Sequence, residues 1–420
     1  MNKIIASAGL AALGAANLQV ANASGLAPMD RPKPWRISGI VRGFYDDNPT
    51  DSVSSAREAS WGIEVSPQLA VNFALDQTTI GFNYVYDLRY FEARQKHDTD
   101  HAHEFGVTID HPITDRYKLD VTDKFHYAVE PELTDISSLP LRTEQNYLHN
   151  RGRLGFSAEL TPILGLELAY QNDYWDYKEH GNGSLSALLD RIEHLGSVTG
   201  RWQALPNTVG LLGYQYGVVD HTSKDALEVN PGLTPTDPNV RDQTSHFIFV
   251  GADQKFNSQL DAQIRLGAQF TDYSNALAGQ SDSSVGPYVD ASATWTYNPG
   301  STLQLGVKHQ RNQTDVAYTF STTPAQDQES TAFYGTLNHR ITPKLTGSLL
   351  GQYQHSNFKG GGSSVDGEVD QFGTLGVNLS YQVNTFVSAE AGYNYDRLDS
   401  DLPNRSYTRN RVYFGLRASY

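Results

Sequence analysis

Residues 409–420 read Arg409-Asn410-Arg411-Val412-Tyr413-Phe414-Gly415-Leu416-Arg417-Ala418-Ser419-Tyr420. In an extended strand, Val412, Phe414, Leu416, Ala418 and Tyr420 fall on one face, and Arg409, Arg411, Tyr413 and Arg417 on the other. One face suits hydrocarbon and the other suits water. The same period of two recurs upstream. Leu260, Ala262, Ile264, Leu266, Ala268 and Phe270 alternate with Asp261, Gln263, Arg265 and Gln269. Trp61, Ile63, Val65, Leu69, Val71 and Phe73 alternate with Glu64, Ser66, Gln68 and Asn72. Leu119, Val121, Phe125 and Tyr127 oppose Lys118, Asp120, Lys124 and His126, and Leu303, Leu305 and Val307 oppose Gln304, Lys308 and Gln310. The runs of 9 to 13 residues exceed the usual strand of about five or six. They match the roughly 9–11 residues a tilted strand needs to cross a bilayer. The polar face is too charged for a packed core. The pattern predicts an all-β fold: a transmembrane antiparallel up-and-down β-barrel, apolar toward lipid and polar toward a lumen.

Short turns punctuate the chain at Asp76-Gln77, Pro112-Ile113-Thr114, Thr161-Pro162, Pro206-Asn207, Asn257-Ser258, Asn298-Pro299-Gly300, Thr342-Pro343 and Val383-Asn384. Longer polar stretches lie between them at 46–60, 93–102, 131–143, 178–190, 221–242, 274–284, 318–329, 357–370 and 399–406. Short turns on one side and long loops on the other predict a periplasmic and an extracellular end. Eight short turns, with a first and a last strand, predict about 18 strands, and 16 if the weakest hairpin fails. That hairpin lies near 184–204, where Leu185, Leu188, Leu189, Ile192 and Leu195 have helical spacing. A short loop helix and a strand starting at Ile192 both fit there. Aromatics fall in two bands, Trp35, Trp202, Trp295 and Tyr420 near the short turns and Tyr45, Trp61, Tyr170 and Tyr353 near the long loops. Amphipathic rings at both headgroup levels are expected of such a barrel.

Composition narrows the function. The 420 residues carry 47 acidic and 32 basic side chains, a net charge of -15, and no cysteine. Absence of cysteine excludes disulfide scaffolds, cysteine-ligated metals and cysteine nucleophiles. The acidic balance argues against a nucleic-acid partner. A mean hydropathy of -0.47 argues against membrane helices but not against a barrel, which hides apolar residues at alternate positions. Met1-Asn2-Lys3, a short apolar stretch to Ala16 and Ala21-Asn22-Ala23 have the three parts of a secretory leader. The expected organisation is a signal peptide over 1–23, a short periplasmic segment over 24–34 and one barrel domain over 35–420.

Ile37-Ser38-Gly39-Ile40-Val41-Arg42-Gly43-Phe44-Tyr45-Asp46-Asp47-Asn48 and Ser60-Trp61-Gly62-Ile63-Glu64-Val65-Ser66-Pro67-Gln68-Leu69 resemble the β-barrel porin family of type 2 over about 40 residues. The resemblance implies a large outer-membrane barrel of a Gram-negative cell, and a polysaccharide export protein as partner in some relatives. The alternating C-terminus ending on Tyr420 is similar to the terminal strand that the barrel assembly machinery recognises. Outer-membrane lipid and lipopolysaccharide are the expected surroundings.

Other motifs carry less. His97-Asp98-x-Asp100-His101-x-His103-Glu104 is the densest set of metal-ligand types, but it is expected in an external loop, and no metal or cofactor is expected. Gly360-Gly361-Gly362-Ser363-Ser364 lacks the lysine of a phosphate loop. Asp366, Glu368 and Asp370 read as a solvated loop edge, and Asp46-Asp47-Asn48 as a turn closing the first strand. The longest loop, His221–Asp242 with Asn230-Pro231-Gly232, is expected either to fold inward as a pore constriction or to lie outside as a lid or surface loop. Scattered His126, His194, His246, His309 and His339 form no nucleophile–base pair, so an enzyme is not expected. About a dozen residues before the first strand leave no room for a transporter plug.

Alternation assigns the lumen charges. Arg42, Lys118, Lys124, Arg151, Arg153, Arg201, Arg265, Lys308, Arg409, Arg411 and Arg417 are expected inside, against Glu64, Asp120, Glu159, Glu167, Asp173, Asp261, Asp290, Glu390 and Asp396. Arg42, Arg409, Arg411 and Arg417 would form a positive ladder where the barrel closes, or pair with Glu390 and Asp396. The expected function is a porin-like channel for passive diffusion of small hydrophilic solutes. A conduit for exopolysaccharide secretion and a structural surface barrel with a blocked lumen are the alternatives.

Overall fold

A computed structural model describes residues 34–52, 57–95, 98–129, 146–227, 235–316, 323–362 and 365–420. The expected leader, His97, Asn230-Pro231-Gly232 and Ser363-Ser364 lie outside the described residues. The strands are β1 (Trp35–Asp46), β2 (Ser60–Ala74), β3 (Thr79–Phe91), β4 (Thr99–Pro112), β5 (Tyr117–Ala128), β6 (Tyr147–Glu159), β7 (Leu164–Tyr177), β8 (Arg191–Leu205) and β9 (Thr208–His221). They continue as β10 (Gln243–Lys255), β11 (Leu260–Asp272), β12 (Ser283–Asn298), β13 (Ser301–Asn312), β14 (Asp327–Arg340), β15 (Leu345–Lys359), β16 (Val369–Gln382), β17 (Val387–Ser400) and β18 (Tyr407–Ser419). One short helix, α1 (Leu185–Leu189), precedes β8.

Each strand pairs antiparallel with its neighbours in sequence, and β1 closes on β18 from Ser38↔Ser419 to Asp46↔Arg411. The result is a closed 18-stranded barrel. Closure leaves no open edge, so strand backbone groups find partners without water, the condition for crossing hydrocarbon.

The eight short turns stand where the sequence places them. In five of them a side-chain oxygen caps the turn. Thr114, Thr161, Asn257, Thr342 and Asn384 each accept from the backbone N–H groups two and three residues on. Such side-chain-to-backbone bonds favour a tight reversal. The Asn298–Ser301 connection instead uses Gly300 at φ +78°, a left-handed backbone that glycine adopts without a Cβ clash.

Both readings of 184–204 hold in succession. Ser184 caps α1 by accepting from Ala187 N–H at 3.2 Å, and β8 begins at Arg191. Helical spacing therefore extends only through the first five residues. The dense histidine cluster departs from expectation. From Asp100 to Glu104 it is not loop but strand, because β4 starts at Thr99. Register then splits it: Asp100 and Glu104 share one face, while His101 and His103 stand on the other beside Tyr86 and Tyr84. Among the described residues, these four side chains do not converge on one ion.

Apolar residues cover the outer face. Val41, Ile63, Leu212, Val250, Val285, Leu266, Phe333 and Phe414 are all exposed there, with Leu212 64% exposed. The opposite face carries the buried groups, among them Arg42, Asp46, Glu64, Glu390 and Arg409. Inward aromatic rings lie flat along the wall over glycines of the next strand. Phe44 covers Gly62 and Tyr413 covers Gly392, so closely that a Cβ at either glycine would overlap the ring. Phe44 also meets Phe91 edge-on at 5.2 Å, a favourable aromatic geometry.

Candidate functional site

The inner wall is built of ion pairs between neighbouring strands. At the seam, Arg42 on β1 donates to Glu64 on β2 at 3.1 Å and to Glu390 on β17 at 2.8 Å. Arg89 on β3 adds a 3.3 Å contact to Glu64, and Arg417 on β18 donates to Glu390 at 2.6 Å. The Arg42 guanidinium also stands 4.7 Å from the centre of the Tyr413 ring. Nearer the loops, Asp46 is fully buried and accepts from both Arg409 (2.7 Å) and Arg411 (2.9 Å). The positive ladder is thus neutralised at the seam. Its upper partner is Asp46 and not Asp396: Asp396 faces Arg409 in register, but the arginine reaches the carboxylate of β1 across the closure.

A second sector spans β4 to β13. Lys118 meets Asp110 at 2.7 Å, Arg153 meets Asp120, and Arg151 meets Asp173 at 2.5 Å. His149 also bonds Asp173, at 2.9 Å, and stacks on Trp175 with centroids 3.7 Å apart. Arg201 pairs with Glu167 and approaches Asp253 at 3.8 Å; Arg265 approaches the same Asp253 at 3.5 Å. Lys124 stands opposite Arg151, Lys308 opposite Asp290 and Asp261 opposite Lys255 in register. Glu159 ends β6 at the turn side. Alternation places all these side chains on the face opposite the apolar residues.

The extracellular loops fold toward the same interior. Leu188 and Leu189 of α1 pack with Leu227 and Val240 of the next loop against the inward rings of Tyr147 and Tyr177. Arg241, fully buried, donates to Leu188 O at 2.7 Å and to Thr314 O at 2.5 Å. One side chain therefore ties three loops together. Elsewhere Gln280 donates to Pro324 O (2.8 Å) and Gly360 O (2.7 Å). Arg405 donates to Asp315 (2.7 Å) and Asp370 (2.8 Å). Burial disfavours the Arg405 charge, yet the two carboxylates outweigh it and hold the group above the usual arginine range. The acidic edge at Asp370 and the Asp46-Asp47-Asn48 turn are thus filled by arginine and asparagine donors: Asp47 accepts from Asn410 N–H at 2.7 Å.

Sequence reasoning missed Asp46, Arg89, Asp110 and Asp253 on the wall, though their parity with assigned neighbours would have found them. It also missed Arg241 and Arg405. Nothing local marks these, because their partners come from distant loops.

Comparison with known proteins follows the same lines. A family described as "Putative beta-barrel porin 2" matches residues 38–420. The chain belongs to this family. It is a porin-type barrel of the outer membrane. Similar crystal structures include OpdK from Pseudomonas aeruginosa (12% identity, TM-score 0.45), a BenF-like porin from Pseudomonas fluorescens Pf-5 (12%, 0.47) and OccAB3 from Acinetobacter baumannii (12%, 0.43). Each is matched over 92% of this chain and 99% of its own. No curated protein matches by sequence.

Proposed function

We propose that this barrel is a channel for passive diffusion of small hydrophilic solutes, narrowed at its outer mouth by the interlocked loops. The observation that carries the reading is the inner wall, where charges of both signs stand paired across neighbouring strands, as at Arg42–Glu64–Glu390. Such a wall offers alternating donors and acceptors to a polar solute while presenting little net charge. Rings of unbalanced charge at the narrowest section set ion selectivity, so weak ion selectivity follows here. An 18-stranded barrel lies in the size range that holds an aqueous channel. The export signal in the first 23 residues and the lumen assignments of Lys124, Lys308 and Asp261 belong to the same reading.

Single-channel recording of the refolded protein in planar bilayers tests it. A stable open conductance with weak selectivity between potassium and chloride is expected. Absence of conductance would favour the structural barrel with a blocked lumen. The export conduit draws no support from any contact or comparison above.

A further inference from the structure

Four tyrosine–histidine pairs line the outer face close to the long loops. Tyr86 and His101 (2.7 Å), and Tyr84 and His103 (2.9 Å), join β3 to β4. Tyr170 and His194 (2.7 Å) join β7 to β8, and Tyr214 and His246 (2.8 Å) join β9 to β10. Register puts every one of these residues on the lipid-facing side: Tyr84, Tyr170 and Tyr214 are 37–47% exposed. Each histidine is near the loop end of its strand, the first in β4, β8 and β10.

The pairing is chemically uniform. In all four, the bond is made by Nδ1. With the phenol O–H donating to Nδ1, a neutral imidazole carries its proton on Nε2, which is then a donor. Ring contacts hold the imidazoles in place: His103 lies 5.0 Å from Tyr86, and His246 lies 5.2 Å from Tyr216. Between these pairs the outer face also carries Asp123 and Asn150, bonded at 3.2 Å. Asn172 adds a 3.2 Å contact to His194. Polar side chains on a lipid-facing wall are costly unless they meet polar groups. Donors and acceptors at one level, above an aliphatic band, suit a ligand with anionic oxygens and hydroxyls on the same headgroup.

We propose that this arc from β3 to β10 binds the phosphorylated sugar headgroup of an outer-leaflet glycolipid. The four Nε2–H groups donate to phosphate and sugar oxygens, and Asp123 with Asn150 meets sugar hydroxyls. The inference rests on the loop side facing the outer leaflet.

The test uses the full chain refolded in detergent, the variant His101→Phe/His103→Phe/His194→Phe/His246→Phe, and three probes. These are purified deep-rough lipopolysaccharide, its dephosphorylated form and phosphatidylglycerol, with bound lipid counted by native mass spectrometry. The wild type should bind the phosphorylated glycolipid at least tenfold tighter than the variant, and dephosphorylation should abolish the difference. Equal binding by both proteins overturns the proposal. So does a preference of the wild type for phosphatidylglycerol. Channel activity of both proteins is recorded in parallel: absence of conductance in the wild type overturns the diffusion reading, and binding in detergent is read independently of it. Should the variant fail to fold, Tyr84→Phe/Tyr86→Phe/Tyr170→Phe/Tyr214→Phe, which frees Nδ1 and loosens the imidazoles, should weaken glycolipid binding severalfold, and unchanged binding overturns the proposal.

Discussion

Arg42 and Glu390 stand 348 positions apart in sequence and 2.8 Å apart in the fold. Their pairing, with Glu64 on the other side, spans the seam where the first strand meets the last. Removing one partner of a buried pair costs about 3–5 kcal/mol when the other charge is left alone; here Arg89 still contacts Glu64 and Arg417 still bonds Glu390, which puts the cost at the low end. Arg42→Met should lower stability to denaturant by about 3 kcal/mol, read from urea unfolding in lipid vesicles. It should also shift a single channel toward cations, because Glu64 and Glu390 lose their shared counter-charge. An unchanged reversal potential would show that this cluster does not face the conducting path.

Arg241 holds the loop cap. Each charge-assisted bond to a carbonyl contributes about 1.5–3 kcal/mol, and Arg241 makes such bonds to Leu188 O and Thr314 O. Arg241→Ala should leave the barrel folded by its heat-dependent gel shift, release α1 from Thr314 and raise the mean conductance. A conductance equal to the wild type would mean that these loops do not narrow the mouth.

Asp190, just after α1, gives the cap a pH dependence. Burial pushes its carboxyl above the ordinary 3.8, opposed by bonds from the Ser186 hydroxyl and Tyr177 N–H. An acid with a raised folded pKa holds its proton more tightly when folded. Its increment of stability is therefore full below about pH 3.8 and is lost as pH rises through the folded value. Asp190→Asn keeps an acceptor for Tyr177 N–H and removes the charge. Intrinsic-rate-corrected hydrogen exchange of the Tyr177 amide should slow in the variant at pH 7, and its pH dependence should flatten.

Leu266 and Gln263 test the two faces of one strand. Leu266 is exposed on the outer face, opposite Val289 and Val250. Leu266→Arg should cost about 2–4 kcal/mol in a bilayer. Gln263→Arg, inward beside Ser292, should stay within about 0.5 kcal/mol. Vesicle-based unfolding reads both, and equal costs would contradict the assignment of faces.

Gly300 sits at φ +78° in the two-residue connection after β12. Gly300→Ala should destabilise by about 1 kcal/mol, measured in the same way. A stabilised variant would mean that the turn changes type to accommodate the side chain.

The sequence by itself determined the barrel, a count of about 18 strands, its eight short turns and the alternation of two faces along the clearest strands. These are local properties: a period of two assigns faces, and turn chemistry marks reversals within a few residues. It also held the error in the histidine cluster, since His101-Ala102-His103-Glu104 is polar on both faces and looks like loop until Tyr84 and Tyr86 are set beside it. What only the tertiary structure decided is which charges meet. Asp46 rather than Asp396 takes Arg409 because barrel closure brings β1 against β18. Arg241 finds Leu188 and Thr314 because loops distant in sequence share one mouth. Alternation records the direction of each side chain; only the closed ring fixes its neighbour across the seam.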